Sequence, residues 1–300
     1  MAPPDIDDEQ AAPVSTGTYD PARVVSQLRE LDELTGGSEG SRRLAWTSEW
    51  LEARNMLREA LQSIPVSVDT DAAGNLWAVL PGVTSDTLVV GSHLDSVPKG
   101  GWLDGSLGVF AGLELLRSLA DDGIPPVTVA LVDWADEEGA RFGRSLFGSG
   151  AAMGTLDLDV LSGLVDRDGN TLPDVLAEYG VKLTDLDAAR TSLTEVRAYI
   201  ELHIEQGPVL ESMGLGICTV TGTKGIERER LIFRGQASHA GTMPMEMRKD
   251  SFRAASRFAL AVADIGVAHD GVTTVGSAAL WPGVVTATAG ETRITLDMRH

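Results

Sequence analysis

Apolar positions fall into two rhythms along the chain. Residues 21–36 and 42–63 carry them at helical spacing: Val24, Leu28 and Leu31 in the first stretch, Leu51, Met56, Leu57 and Leu61 in the second. Each predicts an amphipathic helix. Val66 to Asp69 and Leu76 to Leu80 read as short strands around a turn at Ala73-Gly74-Asn75. Thr87 to Val90 is a short apolar strand, and Val127 to Trp134, VTVALVDW, is a continuous one. Between them, residues 107–120, LGVFAGLELLRSLA, have helical periodicity that stops before Gly123 and Pro125-Pro126. Val196 to Leu202 is strand-like again, and residues 155–195 are helical and loop-like without a chemical signal. This alternation predicts an α/β unit, a sheet with helices on its faces.

The rhythm changes near Gly225. Arg228 to Arg234 alternates as a strand, GQASHAGTMPM follows as a loop, and Met247 to Val267 has helical spacing. Thr273 to Leu280 and Thr292 to Met298 read as further strands. The order β-α-β-β is most of a ferredoxin-like unit that lacks its last helix and strand. The expected domains are an acidic, disordered N-terminal tail (1–20), a first α/β domain (21–224) and a smaller α+β domain (225–300).

Polar residues concentrate where strands end. GSHLDSVPKGGWLDG places His93, Asp95 and Asp104 after one strand. The VTVALVDWADEEG stretch places Asp133, Asp136, Glu137 and Glu138 at the end of another, and HIEQG places His203, Glu205 and Gln206 after a third. Ligands of open α/β sheets sit beyond the carboxyl ends of strands. Imidazole with carboxylate is a ligand set suited to zinc, manganese or cobalt. A shared aspartate could serve two ions, and a free carboxylate beside them could take a proton from water. Glu137 and Glu138 are adjacent and cannot point the same way, so one can ligate while the other faces water. Taken singly, each cluster also reads as a strand-end cap or a solvated turn. From the residues alone, a metal site and ordinary surface turns both stay open.

Composition narrows the classes. The formal charge is −20, against the basic face that nucleic-acid binding requires. Hydrophobic residues make up 43%, enough for a large core, and no apolar run has the length of a membrane span. The N-terminus, with Pro3, Pro4 and Pro13, has neither the basic nor the apolar region of a signal peptide. The single cysteine, Cys218, excludes an internal disulfide framework and is expected as a small hydrophobe in a strand. The expected compartment is the cytoplasm. Trp134 is expected in the core, and Arg141 and Arg144 beside carboxylates or as surface ion pairs.

GSHLDSVPKGGWLDGSLGV, ADEEGARFGRSLFGSGAAMG, ELHIEQGPVLE and GQASHAGTMPMEMRKD together resemble the amidases of the hydantoinase/carbamoylase family. These are aminoacylase-like two-zinc metallohydrolases that include N-carbamoyl-L-amino-acid hydrolases, β-ureidopropionases and allantoate amidohydrolases. The resemblance covers roughly residues 20–300. It implies a mixed-sheet zinc-hydrolase catalytic domain with helices on both faces, plus a ferredoxin-like lid that dimerises. It implies two divalent ions: His93 and His203 as ligands of the first, Glu138 of the second, and Asp104 as the bridge. Glu137 would be the general base and Asp95 the carboxylate that orients the His93 ring. Gln206 and Arg299 would contact substrate, and His239 would cross to a partner subunit to stabilise an oxyanion. The implied reaction is hydrolysis of a linear amide or ureido bond. An N-carbamoyl-L-amino acid would give the amino acid, carbon dioxide and ammonia; allantoate or ureidoglycolate is the alternative substrate class. Two features depart from the pattern. The family's Asn-Val-Val/Ile-Pro-Gly stretch is here VVTATAGE, with Thr286 at the Asn position and Ala289 at the Pro position. A further C-terminal histidine ligand has no counterpart, because neither His269 nor His300 matches it; the resemblance implies either a chain truncated at its C-terminus, with the implied activity that of the complete protein, or one that lacks this ligand. That departure predicts weak binding of the second ion by these 300 residues and little turnover, so that a metal-binding remnant is the reading from another class.

Overall fold

The structure, a computed structural model, describes residues 18–300; the greater part of the expected N-terminal tail lies outside the described residues. The chain divides into two compact units between Ser212 and Met213. This division precedes the change of rhythm at Gly225, because residues 214–225 have no regular structure to give a periodic signal.

The first unit opens with helices α1 (Pro21–Thr35) and α2 (Ser48–Leu61). Asp20 caps α1 by accepting from the amides of Ala22 and Arg23. The second helix starts at Ser48, six residues later than its apolar spacing suggests. Residues 41–43 are held instead by Ser96 and Gly100, Trp46 has φ 61°, and Thr47 accepts from the Trp50 amide as N-cap. Strands β1 (Ser67–Thr70) and β2 (Leu76–Leu80) follow, then β3 (Thr84–His93), α3 (Ser106–Asp122) and β4 (Val127–Trp134). Short helices α4 (Phe147–Met153), α5 (Leu158–Ser162) and α6 (Leu172–Glu178) lead through 3₁₀ turns at Leu183–Leu193 to β5 (Val196–Ile200). Helix α7 (Val209–Met213) runs up to the division, with its last residue beyond it.

The sheet order is β1-β2-β4-β3-β5, with β4, β3 and β5 mutually parallel and β1 and β2 antiparallel. Side chains alternate across it. Leu76, Ala78, Leu80, Val90, Val129 and Leu131 face α1, α2 and α3 in one buried cluster, while Trp77, Val89, Ala130, Val132 and Trp134 pack with Ala152 and Leu193 on the other face. Helices therefore cover both faces, and the continuous apolar run of β4 is the signature of a strand buried on both sides. Trp134 is a core residue, edge-on to Trp77. Because three neighbouring strands run parallel, their carboxyl ends, His93, Trp134 and Ile200, emerge on one edge of the sheet.

The second unit contains β6 (Ile226–Arg234), α8 (Ser251–Ala268), β7 (Val272–Trp281) and β8 (Glu291–Arg299). Its sheet is antiparallel, ordered β6-β8-β7, with α8 packed on it. That is the strand order of the first three strands of a ferredoxin-like unit. Cys218 is exposed and lies in no strand, contrary to expectation. No helix among the described residues is long and apolar enough to cross a membrane.

Candidate metal centre

His93 is the last residue of β3 and is almost fully buried. Its Nδ1 lies 2.9 Å from the carbonyl oxygen of Asp95. A carbonyl only accepts, so Nδ1 carries the proton and Nε2 is left with a free lone pair. His203, just beyond β5, repeats the device: its Nδ1 is 2.8 Å from the carbonyl oxygen of Ile204. The two rings stack with centroids 6.1 Å apart. Asp104 precedes α3, and its Oδ1 is 3.3 Å from His203 Nε2. His93, Asp104 and His203 each bring a ligand atom within 4.8 Å of the others. Asp104 Oδ1 is buried and has no hydrogen-bond partner. A buried carboxylate oxygen facing an imidazole lone pair, both without a donor, is unfavourable unless a cation lies between them. Two imidazoles and a carboxylate are also the donor set of a borderline divalent ion. The residues present therefore fit a metal ion.

Gly105 makes this approach possible. Its φ of 66° and ψ of −48° place α3 so that an added Cβ would stand 2.5 Å from His93 Cε1 and Nε2. Only hydrogen fits between the helix start and the ring.

The carboxylates divide by role. Asp95 Oδ1 and Oδ2 accept from the amides of Glu137 and Glu138, each at 3.1 Å. Its carboxylate is 3.7 Å from His93 Nδ1, so the ring is oriented by the Asp95 carbonyl while the carboxylate fixes the Glu137-Glu138 peptides. Glu137 Oε2 is 3.6 Å from His93 Nε2. Burial raises the Glu137 pKa, with help from Asp95 and Glu201 and against the pull of His93 and His203. Burial likewise raises Glu138, which stands outside the three-residue cluster. For His93 burial opposes the charged form, but Asp95 and Glu137 outweigh it and the net shift is upward. Asp136, in a left-handed conformation at φ 52°, accepts from Trp46 Nε1, and burial beside Asp95 pushes it up to about 7. Asp133 turns away from the cluster toward Arg54. Arg141 pairs with Asp166 at 3.1 Å.

Gln206 donates to Asp104 Oδ2 at 2.8 Å. Glu205 accepts from the amides of Val209 and Leu210 and so caps the start of α7.

Three expected residues lie in the second unit. His239 Nδ1 accepts from the amides of Gly241 (3.0 Å) and Thr242 (3.2 Å). In the neutral ring the proton then sits on Nε2, which is left as a donor. Thr286 is beside it: its carbonyl accepts from Ala240, and His239 bridges to Ala287. Arg299 is at the opposite end of β8, with its Nε on Asp297 Oδ1. The nine residues of β8 separate the two ends by roughly 26 Å at about 3.3 Å per residue.

Imidazoles and a carboxylate gathered at the carboxyl edge of parallel strands, with half-buried Glu137 and Glu138 beside them, make a candidate divalent-metal centre on an α/β sheet. The family model for peptidase family M20/M25/M40 matches residues 89–297, and the chain belongs to that family. It is 37% identical over 290 residues to an N-carbamoyl-L-amino-acid amidohydrolase of Paenarthrobacter aurescens, covering 92% of this chain and 68% of the relative. It is 34% identical over 266 residues to an allantoate amidohydrolase of Escherichia coli, covering 87% and 64%. The crystal structure of a hydantoinase/carbamoylase family amidase from Burkholderia ambifaria superposes with a TM-score of 0.77 at 35% identity, over 94% of this chain and 70% of that one. The chain thus spans about two thirds of the length of the proteins it resembles.

Proposed function

We propose that the protein hydrolyses a linear carbon–nitrogen amide or ureido bond, with an N-carbamoyl-L-amino acid as substrate, releasing the amino acid, carbon dioxide and ammonia. One observation carries the reading: His203 Nε2 and the partnerless Asp104 Oδ1 face each other at 3.3 Å beside His93. His93, Asp104 and His203 would hold a divalent ion, zinc by its donor set, with manganese or cobalt as alternatives. When bound, the ion supplies Lewis acidity that polarises a carbonyl and lowers the pKa of water. A second ion would use Glu138 and the other oxygen of Asp104. That oxygen accepts from the Gln206 amide, a hydrogen bond that would orient the carboxylate beside the ion and place Gln206 next to the substrate.

Glu137 is the general base. Its carboxylate is anchored through its own backbone to Asp95, stands near His93 Nε2, and has a pKa raised toward neutrality, which favours accepting and then returning a proton. His239 Nε2–H is the donor for the developing oxyanion. His239 and Thr286 at one end of β8 and Arg299 at the other cannot touch one small substrate from a single chain across roughly 26 Å. If both ends serve substrate, they come from different subunits, which supports a homodimer. Exposed Phe252, Leu260 and Val267 share one flank of α8 and give it an apolar stripe of the kind that associates. We place the dimer in the cytoplasm.

A ureide such as allantoate is the second reading, because a Thr286 hydroxyl offers a different hydrogen-bonding set from an amide at that position and an allantoate amidohydrolase is among the relatives. Ammonia release by the full-length protein from N-carbamoyl amino acids, ureidopropionate and allantoate, assayed in parallel, tests both. Release from none of them, with metal supplied, would refute the reading.

A further inference from the structure

Two buried arginines far away in sequence brace the backbone next to His93, one directly and one through Asp133. Leu94, between His93 and Asp95, is held at both of its backbone polar atoms. Its N–H donates to Asp133 Oδ1 at 2.8 Å, and its carbonyl accepts from Arg43 Nε at 2.7 Å. Asp133 is itself fixed: Arg54 Nε meets Oδ2 at 2.6 Å, and a terminal nitrogen of Arg54 meets the Asp133 carbonyl at 3.0 Å. Arg54 also donates to the Gly74 carbonyl, and its guanidinium lies 3.9 Å over the Trp50 ring. Arg43 ties the next step of the loop, with its amide on Ser96 Oγ and its carbonyl accepting from the Ser96 amide. Arg43, Arg54 and Asp133 are all buried.

Stability alone does not account for these charges. A buried ion pair is often no better than apolar side chains of the same volume, because desolvation offsets the attraction. Arg43 goes further: one of its terminal nitrogens is buried without any partner. What both arginines share is the Leu94 backbone, held by charge-assisted bonds from opposite sides. The carbonyl that fixes His93 Nδ1 belongs to the next residue, Asp95. A displacement of the Leu94 backbone therefore moves the ring's orienting acceptor, and the Asp95 carboxylate that holds Glu137 and Glu138 moves with it.

We infer that Arg43, and Arg54 acting through Asp133, are positioning residues that set the tautomer and orientation of His93 and thereby the affinity of the centre. The affinity arm rests on the metal reading; the tautomer arm does not. The test uses the 300-residue chain with Arg43→Met and with the paired change Arg54→Met/Asp133→Leu, which removes both charges together. Arg43→Gln, which removes the charge and is too short to keep the Leu94 contact in place, stands in wherever Arg43→Met does not fold. Nitrogen-detected NMR of the metal-free chain at alkaline pH should give the Nδ1–H tautomer for His93 in the parent. In the variants the tautomer should be mixed or inverted, with His203 unchanged. Zinc titration in a competing chelator should show affinity about 10- to 100-fold weaker in the folded variants. Folded variants with the parent's His93 tautomer and the parent's zinc affinity overturn the inference. A parent chain that shows the Nδ1–H tautomer yet binds no zinc overturns the metal reading and leaves the positioning role standing.

Discussion

Gly105→Ala isolates the closest approach in the centre. At φ 66° and ψ −48° the backbone is outside the regions an L-residue enters readily, and holding alanine there costs about 1–3 kcal/mol. The new Cβ would also lie 2.4 Å from the His93 carbonyl oxygen and 2.5 Å from Cε1 and Nε2 of its ring. Those atoms are not the far end of a flexible chain. The ring is held by the Asp95 carbonyl, and the carbonyl belongs to a buried strand end. Either α3 retreats or the ring turns, and both separate His93 from Asp104. The expected result is a loss of about 2–4 kcal/mol in urea unfolding, adding overpacking to backbone strain. Zinc affinity should fall about tenfold or more. Gly101→Ala is the control in the same loop, since a Cβ there meets nothing within 4 Å, and it should stay within about 0.5 kcal/mol of the parent. A Gly105→Ala chain as stable as Gly101→Ala, with the parent's zinc affinity, would refute the geometry of the centre.

Other outcomes follow from the same contacts. Glu137→Gln in the full-length protein should retain metal and lose hydrolysis, because the amide cannot take a proton; the raised Glu137 pKa also predicts that the acid limb of the unsubstituted protein's activity lies above the ordinary glutamate range, read from a pH–rate profile. Equal mixing of His239→Ala and Glu137→Gln chains should restore about a quarter of parental activity, since half the dimers are mixed and each has one whole site; no recovery would argue against sharing across subunits. Asp166 accepts from the Asn170 side chain and amide, and with Arg141 and the Asp168 amide these lower its pKa from 3.8 to about 2. Its folded pKa is depressed, so its stabilisation is present above about pH 4 and is lost as pH falls toward about 2. Asp166→Ala should flatten the melting temperature over that window.

Much of this site was legible because its parts are local. A parallel strand buried on both faces leaves a continuous apolar run, and VTVALVDW marked its own carboxyl end and the DEE that follows. HLD and HIEQ lie within a few residues of their strand ends for the same reason. Contacts between distant segments were not legible. Nothing in SRRLAW distinguishes Arg43 from a surface arginine, because its acceptor, the Leu94 carbonyl, is 51 residues away. Arg54 sits in a helix whose pattern reads as amphipathic, and its carboxylate partner is 79 residues on. The Gln206–Asp104 bond spans 102 positions. The start of β3 was missed because Thr84 to Asp86 are exposed and interrupted by a register shift, so no apolar alternation reports them. Cys218 was misplaced because a small apolar residue between Ile217 and Thr219 carries no signal of its own exposure.

The central claim is that His93, Asp104 and His203 gather one divalent ion. Equilibrium zinc binding, measured on the parent and on His93→Ala, Asp104→Asn, His203→Ala and Glu137→Gln, tests it most directly. The account predicts tight binding in the parent and in Glu137→Gln, and its loss in each of the other three. Binding that survives all three ligand substitutions, or that is absent from a folded parent, would contradict it.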